Sequence, residues 1–292
     1  MQRHSIRRLK RLNRFLVRYV GFLSLLLTVS VALNVWSASL RTPAPAALGH
    51  DLTRPGNDPN QAEQGQDKDS FRIATYNIQR AKGTDGQRDI GRIAAVLTNM
   101  DVVGLNELAG RSLRGLPDQA EQLGRRLHRG WLFAPNQRRW YRDSFGNGCL
   151  SRLPVNAWHN EPLPYDKDTS QSFRNLLTLH TRIRDSDIVI MVTHLDRGDI
   201  RTMQLHYVLD RFQQYSKAVL MGDLNSMADD PQLTALLTDP VNQDAIGTHL
   251  NETGDPERVD WIIVRGLNVI SCGFNPRGPS DHPCYWVDVT VE

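Results

Sequence analysis

From Phe71 to the C-terminus, short apolar runs recur and each ends in polar residues. The runs 72–76, 102–105, 149–150, 176–180, 188–193, 218–221, 261–264 and 285–291 are β-rich and too short for helices, which predicts strands. Between some of them apolar residues recur at helical spacing. Ile90, Ile93, Ala94 and Leu97 share one face, and Leu123 and Leu127 another. Ile200, Met203, Tyr207 and Phe212 form a third, and Leu233, Leu236 and Leu237 a fourth. Strands interspersed with helices predict an α/β layered domain over 71–292. Several connections are too short to hold a helix, so the sheets are expected to be mixed or antiparallel.

The first seventy residues follow another pattern. Tyr19 to Leu40 is a run of 22 uncharged residues. As a helix it spans about 33 Å, enough for a bilayer core. Residues 1–18 hold seven Lys/Arg and no Asp/Glu. A basic flank of this kind predicts a cytoplasmic tail at 1–18, a transmembrane or signal-anchor helix at 19–40, and everything after Leu40 outside the cytoplasm. In a bacterium that means the periplasmic face of the inner membrane. A cleaved signal, cut near Ser37-Ala38-Ser39, is the alternative and implies secretion. A buried core helix rarely lacks a polar stripe over this length. Residues 41–70, with Pro43, Pro45, Pro55 and Pro59 and no apolar periodicity, read as a flexible, disordered linker.

Composition sharpens this picture in one respect. Hydrophobic residues make up 40% and charged residues 23%, which excludes a disordered chain, a collagen or a polytopic membrane protein. The net charge of +3 combines a tail of +7 with −2 on the linker and −2 on the domain. The domain is therefore not a uniformly basic nucleic-acid binder. Of three cysteines, Cys272 and Cys284 are the nearer pair for a disulfide, against three small buried hydrophobes as the other reading. No Cys/His spacing suggests zinc.

The strand ends carry the chemistry. Asn77, Asn106-Glu107, His194, Asp223 with Asn225, Asp260 and Asp281-His282 all stand at the ends of apolar runs. Sheet edges where strand ends meet are where sites form. Glu107 and Asp281 are hard oxygen ligands of the kind Mg²⁺ prefers. Asp223 and Asn225, two apart on an extended segment, would point the same way and handle a water. His194 and His282 suit a leaving oxygen or a developing negative charge, and Asp260 suits orientation of an imidazole. There is no Gly-rich phosphate loop and no GxSxG elbow, so water is the simplest nucleophile. Taken singly each residue has a plainer reading: a solvated strand end, a GDxN turn, a loop cap or a core histidine.

Read together and in order, the segments RIATYNI (72–78), DVVGLNE (101–107), GNGCLSRLP (146–154), THL (193–195), GDLN (222–225), VDWIIV (259–264) and SDHP (280–283) resemble the endonuclease/exonuclease/phosphatase superfamily, which includes the DNase I-like nucleases. The resemblance spans 71–292. It implies a four-layer αββα sandwich and Mg²⁺-dependent hydrolysis of a phosphate ester, with Mn²⁺ as a substitute ion. It assigns Glu107, Asn77 and Asp281 to the metal. Asp223, with Asn225 beside it, would orient or deprotonate the water. His282, paired with Asp260, would contact the scissile phosphate. His194 would lie on the phosphate or leaving-group side. Arg174 stands where some relatives place a phosphate-contacting arginine. Two positions depart from the pattern. Asn106 replaces a frequent Gln, so the hydrogen bond behind the metal glutamate is expected to be lost or rerouted. Gln79 replaces His or Asp, which argues against a second metal there.

The substrate class is less constrained. Residues 122–142 hold six arginines and no acid, interleaved with aromatics. Arg138, Arg139 and Trp140 are the candidate patch for a nucleic-acid backbone and stacked bases. Anionic lipid headgroups, or a solvated helix face over core aromatics, are the alternatives. The leading expectation is a membrane-tethered phosphodiesterase or nuclease with nucleic acid as substrate and no obligate protein partner. Phospholipase C-like or phosphatase action on lipid or small phosphate esters is the second, and a non-catalytic anchored binding protein the third.

Overall fold

A computed structural model of the chain describes residues 2–39, 41–52, 70–111, 115–139, 142–168, 172–247 and 257–291. The chain divides into two units, Met1–Arg41 and Thr42–Glu292. The first is dominated by one helix, α1 (Gln2–Ser39). Its segment Asn13–Leu33, with mean hydropathy 2.0, is long and apolar enough to cross a membrane, and none of it is buried within the protein. The apolar window opens at Asn13 rather than at Tyr19.

The second unit is built on strands. In chain order they are β1 (Arg41–Pro43), β2 (Ala47–Gly49), β3 (Ser70–Asn77), β4 (Val102–Ala109), β5 (Gly130–Arg139), β6 (Arg142–Ser151) and β7 (Ala157–Pro162). They continue as β8 (Asn175–Ile183), β9 (Ser186–His194), β10 (Ala218–Asp223), β11 (Asn242–Asp244), β12 (Asp260–Arg265), β13 (Asn268–Asn275) and β14 (Cys284–Thr290). The helices are α2 (Ile90–Val96), α3 (Gln119–Leu127), α4 (Asp199–Phe212) and α5 (Pro231–Leu236). Among the described residues one sheet has the order β1-β5-β6-β4-β3-β14-β13, and the other β11-β12-β10-β9-β8-β7-β2. Both are mixed: β3 runs parallel to β4 and β9 to β10, within otherwise antiparallel ladders.

Three apolar clusters define four layers. Ile73, Val102, Leu177, Val192, Met221, Ile262 and Val287 belong to the core between the sheets. Ile93, Leu97 and Leu123 pack α2 and α3 on the outside of the first sheet. Leu205, Phe212 and Leu233 pack α4 and α5 on the outside of the second. This is the αββα sandwich. The helices begin where the sequence caps them: Asp89, Asp118 and Asp230 each accept a hydrogen bond from a first-turn backbone N–H.

Three expectations change. In α4 the buried stripe is Ile200, Gln204, Leu205, Val208, Leu209 and Phe212, while Met203 is exposed. Gln204 holds a stripe position because its amide is satisfied, accepting from Asp196 N at 2.8 Å and donating to the Pro164 carbonyl at 2.8 Å. The arginine-rich segment does not form one surface. Arg129 is buried and donates to the Thr98 carbonyl, and Trp131 is buried beneath α3, where Gly124 makes room for it. Arg138 is exposed on β5, whereas Trp140 and the side chain of Arg139 lie outside the described residues. The three cysteines are free thiols, with Cys149 and Cys284 buried. On neighbouring strands Cys284 faces Asn275, and Cys272 faces Val287.

The linker reading also shortens. Residues 53–69 lie outside the described residues. Residues 41–49 supply β1, an edge of the first sheet, and β2, which pairs with β7 at an edge of the second. Ala44 and Leu52 are buried, and Ala44 N donates to the Asn136 carbonyl. Burying Leu52 alone is worth about 2 kcal/mol, and losing β1 and β2 bares two sheet edges. A fragment starting at residue 71 is therefore expected to melt about 5 °C or more below Thr42–Glu292. Thermal unfolding followed by circular dichroism checks this, and equal melting temperatures would refute it.

Candidate active site

Strand register sets the site. In the second sheet Asp223 lies between His194 on β9 and Asp260 on β12. In the first, Asn77 at the end of β3 is the neighbour of Asn106 within β4. Two side chains tie the sheets together here. Asn77 Nδ2 donates to Asp223 Oδ2 at 3.1 Å. Asn106 Nδ2 donates to the Thr193 carbonyl at 3.0 Å, while Asn106 Oδ1 accepts from Asp223 N at 3.0 Å. Behind the glutamate, the Asn106 amide clamps β4 to β9 and β10. Gly222 is required at this junction. Its φ is 140°, and a Cβ there would collide with the Thr193 carbonyl.

Glu107 sits at a bulge in the β4–β6 ladder, between Leu105 and Leu108, with φ 58°. The kink turns its side chain toward Asn77, whose Nδ2 lies 3.4 Å from Glu107 Oε1. Asp281 approaches from the loop before β14. Its Oδ2 accepts from Gln79 Nε2 at 2.6 Å, and Ser280 Oγ donates to the Asn77 carbonyl at 2.7 Å. Gln79 therefore positions Asp281.

The imidazoles differ in charge. His282 lies 2.7 Å by Nδ1 from Asp260 Oδ2, and its Nε2 is 3.9 Å from Asp223 Oδ2. Burial would lower its pKa, but the hydrogen bond and attraction of Asp260, with Asp223 and Asp281, outweigh burial and raise it to about 9. His194 is neutral. Burial foremost, then the charges of Arg174, His282 and Arg197, hold its pKa well below the ordinary value. Its Nε2 is 3.3 Å from Asp223 Oδ2, which calls for the Nε2–H tautomer. Asp223 is pushed up to about 6, first by burial and then by Asp260, against the pull of His282, Asn225 and Asn77. A carboxylate tuned so close to neutrality is a competent proton acceptor.

Two residues sit differently from the simplest reading. The strand ends at Asp223, and Asn225 is left-handed with φ 47°. Its side chain does not run parallel to that of Asp223. Nδ2 donates to the Leu195 carbonyl, and Oδ1 accepts from Arg197 Nε. Asn225 acts on Asp223 through its backbone N–H, which donates to Oδ1 at 3.0 Å. Arg174 is buried, with Nη2 3.5 Å from Asp196 Oδ1. Burial lowers its pKa, against the attraction of Asp196, Asp223 and Glu107, so its charge faces the site.

Composition and spacing missed a chain of buried amides beneath the site. Asn106 donates to Asn147, Asn147 to Asn175, and Asn175 to Asn160 Oδ1, linking β4, β6, β8 and β7. The detectable signal was asparagine inside otherwise apolar strand segments, in GNGCL and RNLL.

A cation has two candidate groups of ligands. Asp223, Asp260 and His282 have ligand atoms within 4.8 Å of one another. That trio suits proton handling better, because an imidazolium has no lone pair to give. Glu107, Asp281 and the Asn77 amide offer hard oxygens with no protein cation hydrogen-bonded to them among the described residues, which fits Mg²⁺.

The model of the Endonuclease/Exonuclease/phosphatase family matches residues 74–282. The chain belongs to this family. The match spans the site from β3 to His282, and the fold agrees with solved relatives. An endonuclease/exonuclease/phosphatase from Beutenbergia cavernae DSM 12333 superposes with TM-score 0.60 at 24% identity, covering 77% of this chain and 72% of that one. Humanized D. rerio TDP2 gives 0.57 at 19%, covering 77% and 100%. D. rerio TDP2 complexed with single strand DNA product gives 0.55 at 18%, again covering 77% and 100%. A comparison with curated proteins gives no match. Members of the family are typically phosphoric ester hydrolases and generally use a divalent metal.

Proposed function

We propose that the protein is a membrane-tethered, Mg²⁺-dependent phosphodiesterase whose substrate is nucleic acid. The carrying observation is Asp223, a buried carboxylate placed between His194 and His282 and joined through Asn77 to Glu107. Asp223 takes the proton of the attacking water, and Asn77 and the Asn225 N–H hold the carboxylate in place for that transfer. The His282 imidazolium, oriented by Asp260, hydrogen-bonds a phosphoryl oxygen as negative charge grows on it. Arg174 adds a fixed positive charge, His194 uses its Nε2–H to hold Asp223, and the leaving oxygen takes its proton from solvent. Glu107, Asn77 and Asp281 would hold Mg²⁺, which when bound supplies Lewis acidity at a phosphoryl oxygen.

Nucleic acid is favoured because TDP2, with a similar fold, has been seen with a DNA product. The tether rests on α1 and its basic flank, which orient the domain outside the cytoplasm by the positive-inside rule. The test uses the full chain in detergent with single-stranded and plasmid DNA, RNA, sphingomyelin vesicles and bis(p-nitrophenyl) phosphate. DNA or RNA turnover that needs Mg²⁺ and stops with EDTA is expected. Turnover of sphingomyelin alone would replace nucleic acid with lipid, and no turnover of any substrate would leave a binding protein.

A further inference from the structure

Directly after the site strand β3 the backbone runs left-handed through three consecutive non-glycine residues: Gln79 (φ 45°), Arg80 (φ 55°) and Ala81 (φ 58°). L-residues resist this conformation, and such strain concentrates where a site demands it. Hydrogen bonds hold the turn in place. Gln79 N donates to Asn77 Oδ1, Lys82 N to the Gln79 carbonyl, Arg88 Nη1 to the Arg80 carbonyl, and Asp89 N to the Ala81 carbonyl. Gln79 has a reason to be there, since its amide carries Asp281. Ala81 is buried in the outer core of the first sheet.

Arg80 has no such reason. Glycine would make the same turn and accept the same Arg88 hydrogen bond with less strain. The Arg80 side chain is exposed and forms no ion pair among the described residues. Its guanidinium lies on the ring of Phe145, with Cζ 4.8 Å from the ring centroid. Phe145 is cross-strand from Ala109, two positions beyond Glu107. The guanidinium therefore stands at the rim of the site on the Glu107 side. One face is fixed by an aromatic ring, and its N–H edge is left for a ligand, an arrangement suited to a phosphate.

We propose that Arg80, held on Phe145, binds the phosphate of the nucleotide flanking the scissile bond of a polynucleotide. This rests on the nucleic-acid reading of the site. The experiment compares the full chain in detergent with Mg²⁺ on two probes: a single-stranded DNA oligonucleotide, and bis(p-nitrophenyl) phosphate, which has no flanking phosphate. Arg80→Ala is expected to lower kcat/KM on the oligonucleotide about tenfold, mainly through KM. The slope of log KM against log salt should shrink by about 0.7, one single-strand phosphate contact. Turnover of the small diester should stay within twofold of wild type. Arg80→Lys should restore most of the salt slope, because the charge returns. Arg80→Gly should show the alanine loss with a melting temperature no lower than wild type, separating the side chain from the turn. Wild-type behaviour of Arg80→Ala on DNA would overturn the contact, as would equal losses on both probes. A wild-type chain that cleaves the small diester and no DNA would overturn the nucleic-acid reading, and the contact with it.

Discussion

Replacing His282 by alanine is expected to lower kcat on a phosphodiester by about 10³-fold, the scale of losing one charged donor aimed at a developing oxyanion. KM should move only a few-fold, because the lost interaction strengthens as charge accumulates on phosphorus-bound oxygen. The side chain is 21% exposed at the cleft and lies outside the apolar clusters, so its loss leaves the core packing intact. Asp260→Asn gives an independent check. It keeps shape and burial but removes the hydrogen-bonded charge that raises the His282 pKa, so activity should fall although the imidazole remains. Stability supplies a readout a passive residue would not move. With EDTA present, folded His282 titrates at about 9 against an ordinary 6.5. A raised pKa means the folded state holds the proton more tightly, so this stabilisation is complete below pH 6.5 and is lost as pH climbs through 9. It amounts to about 3 kcal/mol. Asp223 acts in a different window, since its penalty for ionising in the fold develops between its ordinary pKa of 3.8 and about 6. Wild-type protein in EDTA should lose several degrees of melting temperature between pH 7 and 10, and His282→Ala should lose clearly less, its remaining loss coming from the buried Cys149 and Cys284 thiols, whose pKa values burial raises. A variant within threefold of wild-type kcat, or an unchanged pH dependence, would remove His282 from the chemistry.

The parts of this site legible in the sequence are those governed by local rules. Apolar runs place strands, strands converge at an edge, and polar residues at their ends meet there; Asn77, His194, Asp223 and Asp260 arrive this way, with His282 just before β14, whereas Glu107 comes from a bulge inside β4. What escapes is set by partners distant in sequence. The alternation of an extended strand predicts parallel side chains for Asp223 and Asn225, yet β10 ends at Asp223 because the chain must turn to reach Leu195 and Arg197. Met203 fits a helical stripe as well as Gln204 by spacing, and only the Asp196 and Pro164 backbone groups decide that the amide goes inside. The arginine–aromatic run 122–142 looks continuous in the sequence, but a helix, a buried guanidinium and a strand divide it. Residues 41–49 have no periodicity because edge strands of three residues are too short to show one.

Glu107→Gln is expected to reduce turnover at millimolar Mg²⁺ by about 10³-fold and to raise the Mg²⁺ concentration for half-maximal rate by at least tenfold. The amide preserves length and the contact with Asn77 Nδ2 while removing one of two carboxylates that face the oxygen-rich end of the site. Mn²⁺ binding followed by electron paramagnetic resonance gives a readout independent of turnover and should weaken in parallel. The backbone supplies a second line of argument. Glu107 is left-handed at φ 58°, a conformation that costs a non-glycine residue about 1–2 kcal/mol, and the bulge around it breaks the β4–β6 ladder. If the residue served the fold, glycine at this position would be destabilising. If the strain exists to aim a carboxylate, Glu107→Gly should melt no lower than wild type and yet be as inactive as Glu107→Gln. An active Glu107→Gly, or unchanged Mn²⁺ affinity in Glu107→Gln, would place the cation elsewhere, with the Asp223, Asp260 and His282 trio as the remaining candidate. Loss of both Mn²⁺ binding and turnover in a protein that melts normally would tie the bulge, the strain and the metal to one side chain.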